Sequence, residues 1–221
     1  MTPSIYQQVL LFDFDGTLLD SRKDLANAVN HARNRLGLEP LPVSLIASYI
    51  GNGVDVLLKK ALHEVDDATR RIAKGYFKSH YEVHCTDETR LYPGVREVLD
   101  TFKNRKLVLV SNKPQEFCHQ IMEAVDIDRY FTLIMGEESC PTKKPDPGPI
   151  LEALRQLNCP KEAACMIGDW TTDVEAGKKA GVHTIACLYG IGKVEEVKKA
   201  GPEFLAPTPL DIITIIQSLE Q

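Results

Sequence analysis

Short apolar runs punctuate the chain at wide intervals. Val9-Leu10-Leu11-Phe12 comes first and stops at Asp13; Leu107 to Val110, Phe131 to Met135, Ala163 to Ile167 and His183 to Leu188 follow. Each run is continuous rather than alternating, and most are bounded by Gly, Asn, Asp or Ser. That is the pattern of strands covered on both faces, as in a parallel sheet between two layers of helices. Helical spacing fills the gaps. Val95, Val98, Leu99 and Phe102 share one face before the second run, and Phe117, Ile121 and Val125 share one before the third. Ile150, Leu151, Leu154 and Leu157 do so before the fourth, and Val174, Ala176, Lys178 and Ala180 lie in the helical stretch before the fifth. Strands alternating with helices predict an α/β fold with a doubly wound parallel sheet.

The alternation lapses once, between the first run and the second. Leu25, Ala28, Val29, Ala32 and Leu36 form an amphipathic helical face closed by Gly37. Val54, Leu57, Leu58, Ala61, Leu62 and Val65 form another, and Ile72, Tyr76 and Phe77 suggest a third. Pro40 and Pro42 mark a turn between the first two, and Leu91-Tyr92-Pro93-Gly94 marks the return to the sheet. A strand-to-helix connection needs no insert of this length. Residues 19–90 are therefore read as a helical cap domain, with residues 1–18 and 91–221 forming the core domain.

Composition removes several classes. The 221 residues are 43% hydrophobic and 26% charged, as expected of an ordinary globular chain. A net charge of −5 gives no electrostatic reason to bind nucleic acid or an anionic membrane. The opening MTPSIYQQVLLFDFDGT has no signal-peptide pattern, and no apolar run approaches the length of a spanning helix. The six cysteines include no C-x-x-C pair, so reduced thiols in a cytoplasmic protein are the expectation.

Ligands of parallel α/β sheets bind beyond the carboxyl ends of the strands. Those ends carry Asp13-Phe14-Asp15-Gly16-Thr17, Ser111-Asn112-Lys113 and Gly168-Asp169, with Asp173 one turn further on; Lys144 lies in the loop after the third run. If they converge, four carboxylates and one ammonium leave a net charge of about −3, which needs protons or a cation. An all-oxygen set with no nearby His or Cys points to Mg²⁺ rather than Zn²⁺. Mg²⁺ shared with a phosphate oxygen makes phosphoryl transfer the expected chemistry. An Asp at a strand end can attack phosphorus, and a second carboxyl two residues on can protonate the leaving oxygen and then activate water. Ser111, Asn112 and Lys144 would hold the phosphoryl oxygens.

In this order, Asp13-Phe14-Asp15-Gly16-Thr17, Ser111-Asn112, Lys144-Pro145 and Gly168-Asp169-x-x-x-Asp173 resemble the four motifs of the haloacid dehalogenase superfamily of phosphohydrolases. The resemblance spans the chain and implies a Rossmann-like core with an inserted cap. It implies Asp13 as nucleophile, Asp15 as general acid/base oriented by Thr17, and Mg²⁺ held by Asp13, the Asp15 carbonyl and Asp169. Asp173 would support the metal shell and Lys144. Gly51-Asn52-Gly53-Val54-Asp55-Val56-Leu57, Leu91-Tyr92-Pro93-Gly94-Val95, Ser111-Asn112-Lys113-Pro114 and Lys143-Lys144-Pro145-Asp146-Pro147 resemble the phosphoglycolate phosphatases within that superfamily. The candidate substrate contacts are accordingly Gly16, Thr17, Ser111, Asn112 and Lys113 in the core, and Gly51 and Asn52 in the cap. Trp170 departs from the pattern, standing where the family often has Ser or Thr.

The expected substrate is a small phosphorylated metabolite, first 2-phosphoglycolate, handled by a monomer or homodimer. Its acid group would need a cation, from Lys113 or from Arg22 and Lys23. Phosphosugar phosphatases and mutases, pyrophosphatases and nucleotidases share the core motifs, and a receiver-like phospho-acceptor shares the acidic site without needing Asp15. Gly51-Asn52-Gly53 reads equally as a helix break or as a loop on the substrate. Trp170 suits packing at the seam between core and cap. His80 and His84 have the spacing of a helical metal pair but lack an obvious fourth ligand, which favours a surface or helix-end role. Gly190-Ile191-Gly192 lacks the rest of a dinucleotide-binding pattern and is set aside.

Overall fold

A computed structural model describes residues 8–220. It begins with β1 (Val9–Phe12), whose four side chains are all buried, and a two-residue strand β2 (Leu19–Asp20). Four helices follow: α1 (Arg22–Arg35), α2 (Val43–Ala47), α3 (Val54–Ala61) and α4 (Asp67–His84). β3 (Arg90–Leu91) then pairs antiparallel with β2, setting Leu19 opposite Leu91 and Asp20 opposite Arg90. The rest alternates: α5 (Val95–Phe102), β4 (Lys106–Val110), α6 (Gln115–Ala124), β5 (Phe131–Met135) and α7 (Gly148–Gln156). It continues with β6 (Ala164–Gly168), α8 (Thr171–Ala180), β7 (His183–Cys187), α9 (Val194–Lys199), β8 (Phe204–Ala206) and α10 (Asp211–Ser218).

The main sheet has the order β5-β4-β1-β6-β7-β8, with every pair parallel. This is the doubly wound α/β architecture expected from the apolar runs. The five expected strands are β1, β4, β5, β6 and β7; β8 and the β2–β3 ribbon add to them. Strand alternation divides the core. Val9 and Leu11 join Val108, Val110, Met166 and the faces of α7 and α8, while Leu10 and Phe12 join Leu107, Leu109, Cys165 and Ile167 on the other side. That second cluster runs on into the inserted helices through Leu25, Leu58, Phe77 and Tyr81.

Two assignments of helical faces change. Ile72 is 59% exposed, and α4 buries Ala73, Phe77 and Tyr81 instead. Leu151 also faces outward, leaving Ile150, Ala153 and Leu154 as the buried stripe of α7. No helix among the described residues is long and apolar enough to cross a membrane. All six cysteines are free thiols.

Candidate active site

β1, β4 and β6 are neighbours at the middle of the sheet, so the loops beyond their ends meet. Asp13 stays in register, its N–H donating to the Ile167 carbonyl at 2.9 Å. The chain then turns sharply at Gly16, where φ is +98°. A Cβ there would collide with the Asp169 carboxylate, so the turn and the close approach both require glycine.

Asp169 is fully buried and held by three donors. The Thr17 hydroxyl donates to Oδ1 at 3.0 Å, and the N–H groups of Ile191 and Gly192 donate to Oδ2 at 2.7 and 2.9 Å. The resemblance placed Thr17 on Asp15, but the turn at Gly16 aims its hydroxyl at Asp169. Ser21 takes the other role, donating to Asp15 Oδ1 at 2.5 Å. Gly190-Ile191-Gly192, set aside as a nucleotide loop, supplies the amides that fix Asp169. Neither contact has a motif in the sequence.

Lys144 sits at the centre of the acidic group. Its Nζ donates to Asp13 Oδ1 at 2.7 Å and to the Val110 carbonyl at 2.6 Å, and it lies 2.7 Å from Asp173 Oδ1. The Trp170 N–H donates to Asp173 Oδ2 at 2.9 Å. Burial alone would push the Lys144 ammonium down; the two carboxylates on it reverse this and hold it above its ordinary value. Asp13 moves the other way. Burial and then repulsion from Asp173 push it up to about 7, although Lys144 opposes both. Asp169 is raised well above the carboxylate range by burial and by the charges of Asp13 and Asp173.

Without a cation, then, this cluster retains protons. Asp13, Asp169 and Asp173 each offer an oxygen within 4.8 Å of the others, and theirs is the one such group of three or more among the described residues. Oxygen donors alone, carboxylates crowded together against their mutual repulsion, and hydrogen bonds to Asp169 from Thr17, Ile191 and Gly192 fit a hard divalent cation.

A small cavity of about 40 Å³ opens beside the cluster. Asp13, Asp15, Ser111, Asn112 and Lys113 form its polar wall; Leu25, Ile50, Val54 and Leu57 form an apolar one, with Gly51 and Gly53 between. The Asn112 side chain is fully occupied as a clamp. Its Nδ2 donates to the carbonyls of Lys144 and Gly51 at 2.9 and 3.0 Å, and its Oδ1 accepts from the Lys144 N–H at 3.0 Å. Gly51, at φ +100°, packs its Cα against the Trp170 indole, where a Cβ would come within 2.6 Å of the ring. Trp170 is thus buried against the inserted helices' loop. Asn52 is half-buried and outside the cavity wall.

Other candidates fall elsewhere. Arg22 is engaged with Asp20 and Lys23 with Glu88, both away from the cavity. His80 stacks between His31 and His84, with ring centres 4.5 and 4.4 Å away, and His84 Nδ1 meets Asp87 at 2.8 Å. This is a helix-surface stack, not a converging ligand set.

Comparison with known proteins agrees with this geometry. Residues 10–187 match the family model described as haloacid dehalogenase-like hydrolase. A phosphoglycolate phosphatase of Aquifex aeolicus (strain VF5) is 36% identical over 213 residues, covering 96% of this chain and 97% of that one. One from Colwellia psychrerythraea (strain 34H) is 35% identical, covering 91% and 93%. The crystal structure of a predicted phosphoglycolate phosphatase from Haemophilus somnus 129PT superposes with a TM-score of 0.90 at 28% identity, covering 94% of this chain and 97% of that one. The chain belongs to the haloacid dehalogenase-like hydrolases, and its activity is that of a phosphatase.

Proposed function

We propose that this phosphatase is a Mg²⁺-dependent phosphomonoesterase that carries the phosphoryl group on Asp13 and hydrolyses 2-phosphoglycolate to glycolate and phosphate. The observation that carries the reading is the cavity in which Asp13, Asp15, Ser111 and Lys113 meet beside a buried acidic cluster. The relatives named phosphoglycolate phosphatase, aligned over nearly the whole chain, support the same substrate.

In the first step the Asp13 carboxylate attacks phosphorus and the bond from phosphorus to the leaving oxygen breaks. Asp15 gives its proton to that oxygen. In the second, Asp15 takes a proton from water, the hydroxide oxygen attacks phosphorus, and the bond to Asp13 breaks to release phosphate. Lys144 holds Asp13 in line, and Ser111 lies where it can donate to a phosphoryl oxygen. Mg²⁺ bound by Asp13, the Asp15 carbonyl and Asp169, with Asp173 completing the acidic shell, would supply positive charge against the transferring phosphoryl group. Residues 19–90 act as the cap, with Leu25, Ile50, Val54 and Leu57 keeping bulk water out while the intermediate forms, and the cap opens to release product.

Phosphate release from 2-phosphoglycolate, hexose phosphates, nucleoside monophosphates and pyrophosphate, with and without Mg²⁺, tests this directly. The expected result is Mg²⁺-dependent turnover led by 2-phosphoglycolate, with kcat in Asp13→Asn lowered by about 10⁴-fold or more. Turnover led by sugars or nucleotides would overturn the substrate, and an active Asp13→Asn would overturn the mechanism.

A further inference from the structure

A buried ammonium needs an anion beside it. Lys113 follows Ser111-Asn112 beyond β4, is 5% exposed and lies in the cavity wall. Its Nζ is 3.0 Å from Asp15 Oδ2 and donates to the Tyr81 hydroxyl at 2.9 Å. Those contacts use two of the three N–H groups that an ammonium offers. Tyr81 comes from α4, within the inserted helices, and is itself 1% exposed. Its ring stacks on Phe77 at 5.4 Å and meets Phe117 of α6 edge-on at 5.0 Å, so packing fixes the phenol. The Lys113 Nζ also lies 4.8 Å from the centre of that ring. Lys113 is therefore held between a phenol from one side of the cavity and a carboxylate from the other.

We propose that Lys113, aimed by Tyr81 as a positioning residue, reads the carboxylate of the acid substrate, and that this carboxylate displaces Asp15 from the ammonium. The proposal rests on the phosphoglycolate reading above. Asp15 Oδ2 is committed to Lys113 in the present arrangement, while Ser21 holds Oδ1. To serve the leaving oxygen, the Asp15 side chain has to let go of Lys113. Exchange of one carboxylate for another keeps the buried ammonium paired throughout, so the exchange carries little electrostatic penalty. A neutral leaving group offers no replacement and leaves Asp15 on Lys113. Acid substrates thus gain twice, in binding and in the release of Asp15. Arg22 and Lys23 cannot share this role, because their own carboxylate partners lie outside the cavity.

The test compares 2-phosphoglycolate with 2-phosphoglycolamide, an isostere that keeps the phosphate but lacks the carboxylate charge, using wild type, Lys113→Met, Lys113→Arg and Tyr81→Phe. Wild type should prefer the acid. Lys113→Met should lower the ratio of kcat/KM between acid and amide by about 100-fold, and Lys113→Arg should recover part of it. Tyr81→Phe removes one oxygen from a packed ring and should lower the same ratio by about 5-fold, mainly through KM for the acid. Equal losses on both substrates in Tyr81→Phe and Lys113→Met would overturn the proposal and leave the phosphoglycolate reading intact. A wild type indifferent to the carboxylate would overturn both. If Lys113→Met does not fold, the ratio in Tyr81→Phe decides.

Discussion

Asp15 is gripped at both oxygens, by the Ser21 hydroxyl at 2.5 Å and by Lys113 at 3.0 Å. Only the Ser21 contact survives if Lys113 turns to a substrate, so in the proposed proton transfer that hydroxyl would set the direction of Asp15. Ser21→Ala should lower kcat by about 10-fold and move KM by less than about twofold, because a hydrogen bond to a charged group contributes about 1.5 kcal/mol. Steady-state kinetics on 2-phosphoglycolate checks the split; an equal rise in KM would mean that Ser21 positions substrate instead. At this scale the sequence was legible wherever chemistry coincides with a strand end. Asp13, Lys144, Asp169 and Asp173 are brought together as their motif order implied. Ser21 was not legible, since a serine just before a helix has an ordinary capping role, although here it makes no side-chain cap. The Ile191 and Gly192 amides were invisible because backbone donors carry no side-chain signature.

The junction between sheet and inserted helices is tied by one side chain of α1. Asp24 is 1% exposed, and its carboxylate accepts from the N–H groups of Glu88 and Thr89 and from the Thr89 hydroxyl at 2.8 to 3.1 Å. These bonds lie beside the β2–β3 ribbon, where both crossings of the chain run. Asp24→Ala strands the Thr89 donors in a buried site and should cost about 2–3 kcal/mol in urea unfolding, whereas Asp24→Asn keeps a single acceptor and should lose less. A loss below about 0.5 kcal/mol in Asp24→Ala would mean that water replaces the carboxylate there. Elements that bury a continuous apolar run were readable, as β1, β4, β6 and β7 attest, and β5 was readable from its apolar run although, at the sheet edge, it buries only Met135 fully. β2 and β3, two residues each, are too short to show any period. β8 is a three-residue edge strand whose Leu205 is exposed, so its pattern is that of a loop. Tyr81 shows the opposite limit: its burial was suggested by no face that began at Ile72, because the true stripe of α4 starts one residue later, at Ala73.

The acidic cluster lies at the ends of the central strands, so its protonation bears on the stability of the whole fold. Asp13 has an ordinary value of 3.8 and stands at about 7 in the folded chain without metal. Between those two pH values the unfolded chain has released this proton and the folded chain has not. The folded state therefore binds more protons, and stability falls as pH rises from about 4 to about 7. Asp169, raised in the same direction, steepens the fall, while Lys144 stays charged throughout. A divalent cation competes with those protons, so its binding strengthens over the same range. Saturating Mg²⁺ should raise the melting temperature by about 5–10 °C at pH 8 and by much less at pH 5. Asp13→Asn removes a titrating group and should flatten the metal-free slope between pH 4 and 7. Thermal unfolding across pH, with and without Mg²⁺, measures both effects. An equal Mg²⁺ shift at pH 5 and pH 8 would show that no proton leaves the cluster when the cation binds, and that Asp13 is already ionised in the folded chain.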